Sequence, residues 1–177
     1  LNTQGYLNGH TPFSAYLAFL SILSGVIYNY KNILVSNESS SVEENVIWRG
    51  EKINHQYSKS EEFEQDLRNY CEKYIASVNY YSYLRNLNEL QISEKFSKMT
   101  KYHELFRSCN KGSKEGIWCG KCPKCASTYL TLYPYLGQKT KEIFGRDLLE
   151  DESLIPIVKG LLRENDIVKP FECVATI

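Results

Sequence analysis

Four cysteines gathered in one short segment constrain this chain more strongly than any other feature. They are Cys109, Cys119, Cys122 and Cys125, and the last three follow one another at regular intervals of three residues. Thiolates at this density are typical of a tetrahedral site for a soft metal ion, most often zinc. Four protein ligands leave no open coordination position, so the pattern predicts a structural zinc without a catalytic role. Reduced core thiols or disulfide bonds are the alternatives that the spacing leaves open.

Basic side chains surround this cysteine segment. Four thiolates around a divalent ion carry a net negative charge, so nearby cations are the expected complement. Only Glu104 and Glu115 are acidic close to the segment. The basic residues are Arg107, Lys111, Lys114, Lys121 and Lys124.

Overall composition narrows the class of protein. The chain has 177 residues, enough for one domain or part of a larger one, and its 21 basic residues balance its 21 acidic ones. A zero net charge is unfavourable for a nucleic-acid binder, so no nucleic-acid partner is expected. The N-terminus lacks the pattern of a signal peptide, which together with the metal-like cysteine spacing indicates the cytoplasm. Because the chain starts at Leu1 and ends in an apolar run, we expect a piece of a longer protein.

The first long apolar segment predicts a helix. Thr11 and Pro12 fit an N-cap and a first helical residue. Residues 13–30 are apolar on nearly every face, with small residues between the large ones. The stretch is short for a membrane span and contains serines and tyrosines, so no membrane partner is expected. We therefore expect a buried helix, among the most buried elements of the fold.

Two short strands predict an α/β fold in which helices dominate. One strand is expected at residues 33–35, followed by Ser36, Asn37 and Glu38, and another at residues 78–84. If the two strands are parallel neighbours, their carboxyl ends face one cleft and bring Glu38 close to Arg85. Asn37 and Glu38 are then candidate ligand-binding residues. A polar surface turn explains the same residues equally well.

The segment before the second helix has the composition of an anion-binding turn. Ser58 and Glu61 match the capping pattern S-x-x-E, and the following helix places Cys71 on its apolar face as a core thiol. His55, Ser58 and Lys59 are candidates for phosphate or carboxylate contacts near helical N–H groups. Capping alone explains Ser58. Further helices are expected at residues 88–99, 100–106, 126–136, 139–144 and 153–162.

Three other residues are candidates for a functional site. His10 directly precedes the predicted first helix, where it could help to hold an anion, and Glu172 and Cys173 lie together on an irregular segment. A thiol there can act as a base, although an isolated cysteine is more often inert. His103 is expected to be a surface or packing residue. No glycine-rich phosphate loop occurs in the sequence, so a nucleotide would need such a loop upstream of Leu1.

Six motifs follow one another along the chain. They are Asn8-Gly9-His10-Thr11-Pro12, Ser36-Asn37-Glu38-Ser39-Ser40, Asn54-His55-Gln56-Tyr57-Ser58-Lys59-Ser60, Ser108-Cys109-Asn110, Trp118-Cys119-Gly120-Lys121-Cys122-Pro123-Lys124-Cys125 and Lys169-Pro170-Phe171-Glu172-Cys173-Val174. In this order they resemble the MurL family, the ATP-dependent UDP-N-acetylmuramoyl-L-alanyl-L-glutamate epimerases of bacterial peptidoglycan and cell-wall synthesis. The cysteine pattern more distantly resembles 7-cyano-7-deazaguanine synthase, a zinc-containing PP-loop ATP pyrophosphatase.

This resemblance implies a fold and an activity. Residues 1–105 would form the α/β portion of a layered PP-loop-like domain without its N-terminal phosphate loop, and residues 106–177 the zinc loop and C-terminal helices. The full-length protein would use ATP and Mg²⁺ to adenylate the terminal L-glutamate of UDP-MurNAc-L-Ala-L-Glu, then invert its α-carbon. Cys173, Glu172 and His10 would be base or proton-donor candidates. The missing N-terminal part would complete the enzyme, and the fragment alone would be inactive.

Two other functions stay open at this point. A zinc-stapled module without catalytic activity could bind the missing half of the protein. A PP-loop ATPase acting on tRNA or a nucleobase would have reactive cysteines, which the regular four-cysteine spacing disfavours.

Overall fold

The computed structural model describes residues 12–44, 46–164, 170, 172 and 174. The chain divides into two compact units. In the described part, unit 1 comprises residues 12–44 and 51–86, and unit 2 comprises residues 46–50 and the chain from residue 87 onward. The domain division predicted at residues 105 and 106 stays a prediction.

Unit 1 is built on a parallel pair of strands, as the sequence predicts. β1 (Asn32–Val35) pairs with β4 (Asn79–Ser82), with Ile33 opposite Tyr80. Between the two strands the chain forms 3-10 turns at Ser39–Val42 and Tyr57–Lys59 and the helix α2 (Glu61–Tyr74). The connection through α2 makes β1-α2-β4 the βαβ unit expected of an α/β fold. The α/β class and its helix-rich balance are confirmed, whereas the PP-loop-like assignment stays a prediction.

The expectation of a buried first helix is wrong. α1 (Phe13–Tyr28) exists, but its buried residues are only Ala18, Ile22 and Gly25. These three residues form one narrow stripe, and Gly25 allows close approach because a Cβ there would lie 3.2 Å from both Val78 methyl groups. Large apolar side chains on the rest of the helix are exposed. Contact along a single stripe buries only one side of a helix. The other side stays exposed even when its side chains are apolar.

The N-cap of α2 is Ser60, and the prediction of Ser58 is wrong. The Ser60 Oγ accepts a hydrogen bond from the Phe63 N–H at 3.2 Å, while Ser58 lies inside the preceding 3-10 turn. The turn shifts the helix start by two residues relative to the S-x-x-E pattern. The helix then packs Leu67 and Cys71 into the core, which confirms Cys71 as a core thiol.

Unit 2 is helical. α3 (Glu89–Ser97) begins at Asn88, whose side chain and that of Gln91 form a reciprocal capping box, as the sequence predicts for Asn88. The expected helix at 100–106 is reduced to a 3-10 turn at Thr100–Tyr102. The remaining helices are α4 (Pro123–Leu136), α5 (Gln138–Phe144) and α6 (Ile155–Leu161).

A short hairpin is absent from the sequence predictions. β2 (Val46–Trp48) pairs with β3 (Glu51–Ile53). The turn residues Arg49 and Gly50 have φ angles of 51° and 84°, and positive φ at both central positions is the mark of a tight hairpin turn. Three-residue strands leave too little alternation to detect. Among the described residues, no helix is long and apolar enough to cross a membrane.

The cap assignment yields a matched pair of variants. Ser60→Ala should lower the free energy of unfolding by about 1 kcal/mol, because the Phe63 N–H loses its acceptor. Ser58→Ala, two residues away, should change it by less than about 0.5 kcal/mol. Urea unfolding measures the free energy of unfolding of both variants. A larger decrease in Ser58→Ala than in Ser60→Ala would contradict the assignment of Ser60 as the N-cap.

Candidate functional site

The four predicted metal ligands converge in unit 2. The sulfurs of Cys109, Cys119, Cys122 and Cys125 all lie within 4.8 Å of one another. Three Sγ–Sγ distances are 3.5 Å (Cys122 to Cys125), 3.7 Å (Cys119 to Cys125) and 4.0 Å (Cys109 to Cys122). A zinc–sulfur distance of about 2.3 Å gives a tetrahedral edge of about 3.8 Å. The donor set and its spacing therefore fit a tetrahedral zinc, while the identity of the metal stays a prediction.

Backbone N–H groups surround the first ligand. The Cys109 sulfur accepts hydrogen bonds from the N–H of Gly112 at 3.1 Å and of Cys119 at 3.4 Å. Gly112 also lies against the backbone of Ile117, since a Cβ at Gly112 would be 2.6 Å from the Ile117 carbonyl oxygen. Burial raises the pKa of the Cys109 thiol, but the backbone N–H groups outweigh it and lower that pKa to about 6. The lowered pKa favours the thiolate form of Cys109, which is the form that binds a metal ion.

The last two ligands stand at the start of α4. Cys122 is the N-cap residue, Pro123 opens the helix, and Cys125 lies in its first turn. Burial raises the pKa of both thiols. Without a cation their thiolates are disfavoured, so ligation through thiolates would need the compensating charge of a metal ion.

Two arginines brace the loop through its backbone. Arg107, one of the expected cations, donates to the Gly116 carbonyl at 2.7 Å, and its guanidinium lies 6.0 Å from the centre of the Trp118 ring. Arg146, which sequence reasoning missed, donates to the Gly120 carbonyl at 2.7 Å and pairs with Asp151. Because Arg146 is distant in sequence from the cysteines, no pattern in the sequence predicted its contact with the cysteine loop. Both arginines hold the loop shape that brings the sulfurs together.

The cysteine cluster is part of the core of unit 2. Cys109, Cys122 and Cys125 belong to the same buried cluster as Trp118 and Phe144. The two aromatic rings stack with their centres 4.3 Å apart. A site enclosed in this way by protein, with four ligands and no open position, is suited to stabilise the fold and not to bind substrate.

In unit 1, the carboxyl ends of the two parallel strands meet as predicted. The Asn37 carbonyl accepts a hydrogen bond from the Ser82 Oγ at 2.6 Å, and the Glu38 carbonyl accepts one from Arg85 at 3.1 Å. The prediction that Glu38 comes close to Arg85 is confirmed. Both contacts use backbone oxygens, so they fix the segment that carries the half-buried Asn37 and Glu38 side chains.

Arg85 links this segment to the predicted anion-binding turn. One of its terminal nitrogens donates to the Lys59 carbonyl at 2.9 Å, and the other donates to the buried Ser41 Oγ at 2.7 Å. Lys59 itself donates from Nζ to the Gln56 side chain at 3.0 Å. His55 and Ser58 lie half-buried on the same turn. The structure thus brings together the two segments that carry Asn37, Glu38, His55, Ser58 and Lys59, and ligand binding by these residues stays a prediction.

A buried carboxylate completes the network. Glu64 accepts from Arg85 at 2.8 Å, from the Ser82 N–H at 3.0 Å, and from Arg68. With its bonds to Glu38, Ser41, Lys59 and Glu64, Arg85 uses all five of its N–H groups, so it has none left for a ligand. Burial raises the pKa of Glu64, but the hydrogen bonds from Arg85, Ser82 and Arg68 together lower it below its ordinary value. Its spacing from Leu67 and Cys71 puts this carboxylate on the apolar face of α2, a signal that sequence reasoning missed.

Of the three predicted catalytic residues, only Glu172 lies within the described part of the chain. Its carboxylate accepts a hydrogen bond from the Asn110 side chain at 2.8 Å, next to the ligand Cys109. His10 and Cys173 lie outside the described residues. His103 is confirmed as a packing residue, because it is buried against Phe96 and its Nε2 lies 3.2 Å from the Phe96 carbonyl.

Substitution of any one metal ligand should cost both metal and stability. Cys109→Ser should reduce zinc from about one ion per chain and abolish cooperative unfolding of unit 2, because the three remaining thiols are left desolvated without a cation. Cys71→Ala is the control, a buried thiol outside the cluster, and should keep the zinc. Elemental analysis and thermal unfolding measure the two effects. A folded, reduced protein without metal, or disulfides among the four cysteines, would contradict the assignment.

The Glu64 network predicts a pH-dependent stability. The folded-state pKa of Glu64 is below its unfolded value of about 4.3, so its contribution is present above that pH and is lost as pH falls through the folded pKa. Glu64→Gln should lower the free energy of unfolding by about 3–5 kcal/mol at pH 7 and by less in acid. Glu72→Gln, exposed on the same helix, should have little effect at either pH. Urea unfolding at pH 7 and at pH 3 tests this, and an equal loss at both values would exclude the ion pair as the cause.

Similarity to known proteins extends over nearly the whole chain. Residues 1–83 match the MurL N-terminal domain, and residues 105–177 match the MurL C-terminal domain. No solved structure matches.

Three curated relatives carry the name UDP-N-acetyl-alpha-D-muramoyl-L-alanyl-L-glutamate epimerase. The relative from Salinispora tropica is 37% identical over 100% of this chain and 40% of its own length. The relative from Micromonospora sp. is 37% identical over 100% of this chain and 41% of its own length. The relative from Xanthomonas oryzae pv. oryzae is 37% identical over 98% of this chain and 40% of its own length. The chain thus spans about two fifths of the length of these relatives, and it belongs to the MurL family.

Proposed function

We propose that this chain is part of an ATP-dependent epimerase that converts the terminal L-glutamate of UDP-MurNAc-L-Ala-L-Glu to D-glutamate. The observation that carries the proposal is the 37% identity, over the whole chain, to a relative named as the epimerase of that compound. Activity belongs to the full-length protein, because the chain spans 40% of that relative's length. The four-thiolate cluster suits a reducing compartment, which supports the cytoplasm as the location.

The chemistry requires activation of the glutamyl carboxylate. Removal of the α-proton from a free carboxylate creates a dianion, so that proton is very weakly acidic. Transfer of AMP from ATP to the carboxylate releases pyrophosphate and makes an acyl-adenylate whose α-proton is easier to remove. A base takes the proton, a donor returns one to the opposite face, and water releases AMP and the D-glutamyl product.

Unit 1 supplies candidates for the adenylation step. The side chains of Asn37 and Glu38 are proposed to contact magnesium or ribose, and those of His55, Ser58 and Lys59 the phosphates or the carboxylate. Support comes from the Arg85 hydrogen bonds, which tie the Glu38 carbonyl and the Lys59 carbonyl to one guanidinium. Preorganised ligand segments reduce the entropy cost of binding a polyanion.

Candidates for proton transfer are Cys173, Glu172 and His10. The Glu172 carboxylate already has a protein partner, since it accepts a hydrogen bond from Asn110. Cys173 is the first of the two neighbours to test. Zinc, held by the four cysteines, would have a structural role only, and the family match favours the epimerase over a non-catalytic module or an ATPase acting on tRNA or a nucleobase.

A solvent-exchange experiment separates the two half-reactions. In deuterated water, the full-length protein with ATP and UDP-MurNAc-L-Ala-L-Glu should release pyrophosphate and place deuterium on the glutamyl α-carbon. Cys173→Ala should still release pyrophosphate but lose α-deuteration by about 100-fold or more, the scale of a missing general base. Cys71→Ala, which alters a core thiol, should retain both steps.

Two outcomes of this experiment would contradict the proposal, one at the level of Cys173 and the other at the level of the activity. Normal α-deuteration by Cys173→Ala would remove Cys173 from the mechanism and leave Glu172 and His10. Absence of pyrophosphate release and α-deuteration in the unaltered full-length protein would exclude the epimerase itself. Mass spectrometry of the substrate and a pyrophosphate assay read the two steps.

A further inference from the structure

Among the residues that the structure describes, unit 1 exposes apolar side chains and a strand edge that an α/β fold normally covers. We define the open surface as the outward side of α1, the backbone edge of β1 that faces away from β4, and the exposed Leu34 side chain. The outward side of α1 carries Phe13, Tyr16, Leu20, Leu23 and Ile27, all of them exposed.

The composition of α1 does not suit contact with water. Its sequence, FSAYLAFLSILSGVIY, contains no charged residue. A helix that is apolar on all sides is normally buried on all sides. Here Ala18, Ile22 and Gly25 are buried, whereas Ile27, almost opposite them, is 65% exposed. The outward side therefore has the character of an interface.

The strand pair of unit 1 has an open edge as well. The Lys31 and Val35 carbonyls accept hydrogen bonds from the N–H groups of Asn79 and Tyr83, so alternation directs the backbone groups of Asn32 and Leu34 to the other side. Among the residues that the structure describes, β4 is the only strand beside β1. Parallel sheets are normally covered on both faces, yet Leu34 is 56% exposed. The outer edge of β1 is therefore open to another strand.

The opposite edge of the pair is closed. On the outer side of β4, the Arg68 Nε donates to the Tyr80 carbonyl at 3.1 Å, and the Glu64 carboxylate accepts from the Ser82 N–H at 3.0 Å. Side chains of α2 thus occupy backbone groups that an added strand would need. The sheet can grow beside β1 but not beside β4.

We propose that the open surface is an intramolecular interface, covered in the full-length protein by polypeptide outside these 177 residues, which adds a strand to the outer edge of β1 and packs apolar side chains on α1. This inference rests on the proposed function, because the full-length epimerase is what supplies the covering polypeptide. Relatives more than twice as long as this chain provide ample length for such a layer. The need for both a strand and an apolar layer fits the remainder of an α/β fold.

Two other occupants are distinguished from this one. A helix that binds a membrane surface normally carries basic residues beside its apolar face, and α1 has none. Symmetric pairing with a second copy would use the same backbone groups of Asn32 and Leu34, so the experiments below separate it from the proposal by whether Leu34 is protected only in a dimer.

Hydrogen exchange in the full-length protein tests the strand. The Leu34 amide should exchange at least about 100-fold more slowly than an unprotected amide, as expected of a strand within a sheet. The Tyr83 amide, bonded to the Val35 carbonyl, is the internal reference. Unprotected exchange at Leu34 while Tyr83 is protected would overturn the proposal. This readout does not depend on turnover, so an inactive epimerase would leave the test intact.

A pair of lysine substitutions tests the apolar layer. Ile27→Lys should lower the melting temperature of the full-length protein by about 5 °C or more, because it places a charge in an interface. Leu105→Lys is the control, since Leu105 is 72% exposed in unit 2. It should shift the melting temperature by less than about 2 °C. Equal shifts would refute the assignment to α1. So would Leu34 protection found only in a dimer, or flotation of the protein with phosphatidylcholine–phosphatidylglycerol vesicles.

Discussion

Convergence of four sulfurs is the constraint on which unit 2 depends. Three of the Sγ–Sγ distances are 3.5–4.0 Å, and burial raises the pKa of Cys122 and Cys125. A tetrahedral cation would remove this cost, because it would replace the thiol protons and neutralise the thiolates. The aromatic core around Trp118 and Phe144 is built against the same cluster, so the cysteine cluster and the hydrophobic core form one structure.

In unit 1, an arginine side chain supplies the positive charge that a buried carboxylate needs. Arg85 stands where the carboxyl ends of two parallel strands meet, and it satisfies carbonyl oxygens of two loops and the buried Glu64 carboxylate. A buried charge is tolerated because every N–H group has an acceptor. The guanidinium is therefore a structural centre, and the side chains of the loops it holds are those proposed to contact ligand.

The two proposals address different parts of unit 1. Ligand contacts are proposed at the carboxyl end of the strand pair, whereas the open surface lies along the outer edge of β1 and the outward side of α1. A sheet closed at β4 by Glu64 and Arg68 has one direction of growth. Completion of the sheet would also buttress the strand that carries Asn37 and Glu38 at its end.

The sequence by itself determined the features that depend on local spacing. The cysteine intervals predicted the four-cysteine cluster, Asn88 predicted a helix start, and a short apolar run and an alternating segment predicted the two strands whose parallel pairing is observed. Only the tertiary structure decided that α1 is exposed, that Ser60 and not Ser58 caps α2, and that Glu64 and Arg85 join segments far apart in the chain. The reason is physical: a ligand motif or a cap is defined over a few residues, whereas burial and ion pairing depend on which distant segments pack together.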